Sequence, residues 1–223
     1  MKEPLNSRQY APATQRNREP ILEILQQFLP STGTILEIAS GTGEHAAFFA
    51  PRLQPRQWIP SDPNFLARAS INSWRQDCPG ENLHPAIALD VRNSIWEVEK
   101  ESLSQLLPNL DLQRHPIVAI VNINMIHISP WSTCLGLMAG ARRILPPRGI
   151  LYLYGPFQQN NQHTAQSNAE FDLSLKRENP EWGVRDLEKV VAVAQTEHLS
   201  LIKIIPMPAN NLSVIFQAES QIS

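Results

Sequence analysis

Three observations predict an α/β fold with a mostly parallel sheet. Short apolar strands alternate with helical patterns, a Gly-x-Gly turn directly follows the first strand, and the last two strands lie too close for a helical crossover. Residues 18–29 put Ile21, Leu22, Ile24, Leu25 and Phe28 on one helical face, so a helix opens the fold. Residues 34–38 make a strand, and a helix from about Glu44 follows Gly41-Thr42-Gly43. Trp58 to Ser61 is a second strand ending at Asp62, and Pro63 suits the first turn of the next helix, where its missing N–H costs nothing. His84 to Leu89 makes a third strand ending at Asp90, and Ile117 to Val121 a fully buried one. Trp131 to Leu145 is helical, and Gly149 to Tyr154 is the fifth strand. A polar segment and a helix near 186–196 lead to Leu201–Ile205 and Leu212–Phe216. Only Pro206 to Asn211 separates these two, so they pair antiparallel as a hairpin. The expected fold is therefore Rossmann-like: a seven-stranded, mostly parallel sheet with helices on both faces and an antiparallel C-terminal hairpin strand. Residues 1–223 read as a single domain. Its 1–30 helical segment is expected over the crevice at the strands' carboxyl ends, and 158–185 as a polar, lid-like insertion.

Composition narrows the function. Nineteen basic residues against 21 acidic ones give a formal charge of −2, which removes the electrostatic case for a nucleic-acid or membrane-surface binder. Cys78 and Cys134 are the two cysteines and form no Cys-x-x-Cys pair, so neither a disulfide framework nor a thiolate metal site is expected, and the cytoplasm is the expected compartment. No apolar run is long enough to span a membrane.

The segment Glu37-Ile-Ala-Ser-Gly41-Thr-Gly43-Glu-His-Ala46 sits where a nucleoside ligand meets a first strand and helix. Glycines let the backbone approach a ligand closely, and Asp62, 19 residues past Gly43, can accept from ribose hydroxyls. Three readings compete. Gly-x-Gly alone fits a plain tight turn; Gly41-x-Gly43-x-x-Ala46 fits a nicotinamide fingerprint; and an acid on the strand ahead of small residues fits an S-adenosylmethionine site. Glu37 favours the third, because a carboxylate is unwelcome near a pyrophosphate and tolerable near a sulfonium and ammonium. Asp90, able to accept from an adenine amino group, and the terminal hairpin point the same way.

The chain resembles class I S-adenosylmethionine-dependent methyltransferases, specifically the uncharacterised group that includes methyltransferase-like protein 26. The resemblance runs from Thr14 to Phe216. Its blocks are Arg16-Asn-Arg-Glu-Pro20-Ile-Leu, Leu36-Glu-Ile-Ala-Ser-Gly-Thr-Gly-Glu-His45, Asn124-Met-Ile-His-Ile-Ser-Pro-Trp131, Tyr154-Gly-Pro-Phe157, Ser167-Asn168, Phe171-Asp172, Trp182-Gly-Val-Arg-Asp186 and Met207-Pro-Ala-Asn-Asn-Leu212. Ala39 stands where many methyltransferases have a third glycine. The resemblance implies the fold and S-adenosyl-L-methionine as cofactor, and stops short of the substrate.

Cofactor-binding residues are expected at Glu37, Gly41, Gly43, Asp62, Asp90, Val91, Asn124 and Met125, with Gly41 and Gly43 against the methionine part. His127 and Tyr154 are the catalytic candidates. His127 is a possible general base if the acceptor is a hydroxyl, with capping of a loop carbonyl as its structural alternative. A substrate pocket is expected from Arg16, Asn17, His127, Tyr154, Asn168, Asn210 and Asn211. Two arginines at a helix start oppose the helix dipole, which suggests a ligand or carboxylate partner there. The acceptor is expected to be a small molecule. A nicotinamide-dependent oxidoreductase and a non-catalytic adenosylmethionine-binding module are the alternatives.

Overall fold

The structure, a computed structural model, describes residues 7–220. Two compact units divide the chain: one is the chain through Asp90 with Trp96–Val118, the other Val91–Ile95 with the chain from Ala119 onward.

In the first unit, α1 (Pro12–Phe28) starts ahead of the apolar periodicity. Its first buried residues are Thr14 and Asn17, so a search for apolar spacing misses that turn. β1 (Thr34–Ile38) is buried throughout and pairs in parallel with β2 (Gln57–Ser61), from Thr34 beside Gln57 to Ile38 beside Ser61. α2 (Glu44–Phe49) follows the glycine turn, α3 (Phe65–Gln76) follows β2, and α4 (Leu103–Leu106) is a single turn. Pro63 lies ahead of α3, not in its first turn. Asn64 is the N-cap, its Oδ1 accepting from Leu66 N–H and Ala67 N–H, which satisfies two donors that a proline leaves unpaired.

The main sheet has six strands among the described residues, not the expected seven. Residues 84–89 form no ladder; among the described residues the backbone here is bridged to β2 at two isolated parallel positions, Trp58 with Leu83 and Ser61 with Ile87. Trp58 makes both regular bonds, N–H to Asn82 O and O from His84 N–H. Pro60 then has no N–H to continue the pattern, and its carbonyl accepts from Ile87 N–H instead. Two prolines, Pro60 and Pro85, break what hydrophobicity alone reads as a strand.

β3 (Ile117–Ile123) leads into the second unit, where it pairs in parallel with β4 (Ile150–Gly155), and α5 (Trp131–Ile144) connects them. β5 (Phe157–Gln159), β6 (Gln162–His163) and β7 (Arg185–Asp186) form a small separate sheet. Between β6 and β7 runs α6 (Gln166–Glu178), inside the segment expected to be a polar lid. Its buried residues are Asn168, Asp172 and Leu175, so it has almost no apolar stripe to reveal it. α7 (Leu187–Thr196) is capped by Asp186, which accepts from Lys189 N–H. β8 (Leu199–Met207) and β9 (Asn211–Ala218) pair antiparallel, and β9 lies antiparallel to β4, between it and β8. No helix among the described residues is long and apolar enough to cross a membrane, and none of their His, Cys, Asp or Glu side chains cluster as a metal site.

Candidate functional site

In the first unit the turn from β1 to α2 stands against the carboxyl end of β2. Ser40 N–H donates to Ser61 O, and Asp62 Oδ2 accepts from Gly41 N–H at 3.1 Å. Asp62 Oδ1 accepts from Asn64 N–H at 2.8 Å. Burial pushes the Asp62 carboxyl up from its ordinary range, and these two donors oppose that shift.

The two glycines have different reasons to be glycine. A Cβ on Gly41 would meet nothing within 4 Å, so the turn presents an open face there. A Cβ on Gly43, at φ +88°, would lie 2.6 Å from the Ile71 Cα. Gly43 thus has a packing reason to be glycine, the close approach of α3 to the start of α2. Glu37 differs from expectation. It is 2% exposed, and its Oε2 accepts from the Trp58 indole N–H at 2.9 Å, so the carboxyl is committed to β2. Burial raises its pKa to about 7.

The N-terminal segment closes on the same helices. Glu44 Oε2 accepts from Ala11 N–H at 2.6 Å and from the Thr42 hydroxyl at 3.1 Å, and Ser70 Oγ accepts from Gln9 N–H at 2.7 Å. Asn17 is buried with its Oδ1 2.8 Å from His45 Nε2, while Arg16 is exposed. The Arg18 guanidinium lies 4.5 Å over the Phe48 ring, so an aromatic face takes the place of the expected carboxylate. Asp90 is half-buried at the end of the segment beside β2. Phe65 and Leu66, on the first turn of α3 just past Asp62, are 72% and 62% exposed. Their signal was in the sequence: an apolar pair directly behind the strand-end acid.

In the second unit His127 is fully buried beyond the carboxyl end of β3. Its Nδ1 accepts from Arg185 N–H at 3.2 Å, its carbonyl accepts from Gly183 N–H at 2.9 Å, and its ring meets Phe157 edge-on at 4.9 Å. A Cβ on Gly155 would sit 2.5 Å from Nε2. The motifs around Tyr154, Trp182 and His127 thus converge on one imidazole. Burial and the nearby Arg185 lower its pKa to about 3, so the ring is a structural post and a very weak base, not the near-neutral base expected. In an imidazole NMR titration, His127 is expected to stay neutral between about pH 5 and 8, where an ordinary histidine gains its proton. A midpoint inside that window would contradict the burial argument.

Asn124, at φ +64°, donates its N–H to Tyr154 O at 2.8 Å; Met125, Tyr154 and Val91 are buried. Asn168 donates to Asn210 O at 2.9 Å and Asn210 to Ser167 Oγ at 3.3 Å, so α6 and the β8–β9 turn meet. The Asn211 side chain donates within that turn, to Pro208 O and Ala209 O. Sequence reasoning missed one pairing: His163 Nε2 lies 3.5 Å from Oδ2 of buried Asp172, and the His163 side chain is 26% exposed. Nine residues and a strand-to-helix turn separate the two, a spacing with no motif to announce it.

A model of a family described as a protein of unknown function, DUF938, matches residues 8–218. Among solved structures, an O-methyltransferase family protein from Burkholderia thailandensis superposes with a TM-score of 0.72 at 13% identity, covering 94% of this chain and 58% of that one. Human N-acetylserotonin methyltransferase in complex with SAM gives 0.69 at 10% identity, covering 93% and 53%. An O-methyltransferase family 2 protein from Planctomyces limnophilus, in complex with apigenin, gives 0.68 at 16%, covering 92% and 59%. The chain thus has the fold of methyltransferases and spans little more than half of each matched chain.

Proposed function

The chain belongs to the DUF938 family, and from that premise we propose that it is an S-adenosylmethionine-dependent methyltransferase with a small-molecule acceptor. One observation carries the reading. In a methyltransferase fold, the open face of Gly41 lies beside a carboxylate whose oxygens already take backbone N–H bonds from Gly41 and Asn64. The cradle fits the adenosyl group. Asp62 has lone pairs left for the ribose hydroxyls, Phe65 and Leu66 offer apolar surface for the adenine, and Gly41 admits the ligand to the backbone. When bound, the cofactor supplies a methyl group on a sulfonium. Glu37 does not discriminate against a nicotinamide, because its carboxyl is turned to Trp58. The antiparallel β8–β9 finish and the likeness in fold to methyltransferases support adenosylmethionine over a nicotinamide.

The small-molecule acceptor rests on the near-neutral charge of the chain and on the kinds of molecule named for the matched structures.

Titration calorimetry tests the reading. Asp62→Ala is expected to weaken adenosylmethionine binding by roughly 10- to 150-fold, the value of a hydrogen bond to a charged group. Unchanged affinity, or binding of NADH in place of adenosylmethionine, would sink it.

A further inference from the structure

Thr42 stands between the two glycines of the turn, and both its carbonyl and its hydroxyl are bonded. The Ser70 hydroxyl donates to Thr42 O at 2.6 Å, and the Thr42 hydroxyl donates to Glu44 Oε2 at 3.1 Å. Ser70 and Glu44 are both buried. Each is also an anchor for the chain ahead of α1: Ser70 Oγ accepts from Gln9 N–H at 2.7 Å, and Glu44 Oε2 from Ala11 N–H at 2.6 Å. Two buried side chains thus carry the glycine turn and the 7–11 segment together. Gln9 N–H, the Ser70 hydroxyl and Thr42 O form a chain of hydrogen bonds, whose members polarise one another.

The segment's other contacts are polar or aromatic and lie near the surface. Arg8 donates to Ser73 O from Nε at 3.2 Å and from Nη2 at 3.1 Å, pairs with Asp77, and lies 4.8 Å over the Trp74 ring. The Trp74 indole N–H donates to Gln9 O at 3.2 Å. Tyr10, the one large apolar side chain from 7 to 11, meets Trp74 edge-on and is 63% exposed. A stretch held by surface polar bonds, with little apolar area buried, opens locally at a smaller free-energy cost than the core.

We propose that residues 7–11 are a regulatory strap whose docking is coupled to cofactor binding, with Ser70 and Glu44 as the positioning residues that link the two. The inference rests on the reading of the Gly41 and Asp62 cradle as an adenosylmethionine site. An adenosyl group against Gly41 restrains the turn that carries Thr42. A restrained Thr42 leaves Ser70 and Glu44 with less freedom to lose when Gln9 and Ala11 dock on them. In the other direction, a docked strap orders the same two side chains before the cofactor arrives. Linkage makes these one quantity: adenosylmethionine favours the docked strap by the factor by which the docked strap favours adenosylmethionine. Whatever holds the segment undocked therefore lowers cofactor affinity.

Amide hydrogen exchange of the full chain, with and without saturating S-adenosylmethionine, reads the first factor. Exchange at the Gln9 and Ala11 amides is expected to slow by about 5- to 150-fold, the usual range of such coupling. The second factor comes from the double variant Gln9→Pro with Ala11→Pro, which removes both N–H donors and leaves Ser70, Glu44 and the glycine turn in place. Both positions precede α1, so the variant is expected to keep the parent's circular dichroism. Its adenosylmethionine Kd, by calorimetry, is expected to rise by the same factor. Ser70→Ala cuts one of the two links and is expected to shrink the slowing at Ala11 in a folded protein. Adenosylmethionine that binds the parent without slowing Gln9 and Ala11 would overturn the coupling and leave the cofactor reading standing. So would a folded double variant with the parent's Kd, or a slowing at Ala11 that survives Ser70→Ala in full. A parent that binds no adenosylmethionine at all would overturn the cofactor reading itself, and the coupling with it.

Discussion

Gly43→Val is expected to cost the protein about 2–6 kcal/mol, a large share of the roughly 5–15 kcal/mol that holds an ordinary domain folded, whereas Gly41→Ala keeps the fold. The first figure combines about 1–3 kcal/mol for holding a β-branched residue at positive φ with about 1–3 kcal/mol of overpacking. The overpacking arises because the new Cβ would lie 2.6 Å from the Ile71 Cα, a backbone atom of α3 that cannot swing aside. Gly41 also has a positive φ, +56°, but its Cβ would point into open space. An alanine there costs only about 1–2 kcal/mol. Its methyl would then stand in the proposed adenosyl cradle, so lowered adenosylmethionine affinity in a folded protein is the second half of the expectation. Urea unfolding read by far-UV circular dichroism separates the two. A Gly43→Val variant as stable as the parent, or a Gly41→Ala variant as damaged as Gly43→Val, would show that the roles of the two glycines are misassigned.

The second large effect is a pH dependence set by Glu37. Its carboxyl has a pKa of about 7 in the folded chain against 4.5 without the fold, with burial as the leading cause. Between those values the folded chain holds a proton that the unfolded chain has released, so stability falls as pH rises through this window. Relative to high pH, the gain is fully present below about pH 4.5 and gone above about pH 7. Its size is on the order of 3 kcal/mol, from a shift of about 2.5 units. Glu37→Gln keeps an oxygen for the Trp58 indole and has no proton to lose. The variant is therefore expected to be more stable than the parent at pH 8 and to show a flatter slope from pH 5 to pH 8 in urea midpoints. Some slope remains, since burial raises the Asp62 carboxyl in the same direction. If the variant keeps the whole of the parent's pH dependence, Glu37 is not the group that titrates.

The element order was legible because each element carries its own local signal. β1 spans the residues its apolar run marks, and α5, α7, β8 and β9 fall where their patterns put them. The hairpin followed from chain length alone, since six residues cannot cross a sheet. What was not legible lies where pairing partners decide. The 84–89 segment has a strand's composition, yet proline on both sides of the pair breaks its ladder. α6 buries two polar residues for each apolar one, so its face is defined by partners such as Asn210 and Val184, which lie far along the chain.

The same division runs through the candidate site. The sequence by itself determined that a glycine turn, an acid at Asp62 and a helix start would come together, because strand, turn and helix are neighbours along the chain. It also singled out the motifs that meet around His127. Only the tertiary structure decided what each residue does there. Gly43 packs against Ile71, Glu37 turns to Trp58, and His127 loses its basicity to burial while His163 lies beside Asp172. The reason is physical: a residue's identity sets which bonds it can make, but its accessible volume, desolvation and partners come from chain segments that sequence spacing does not bring together.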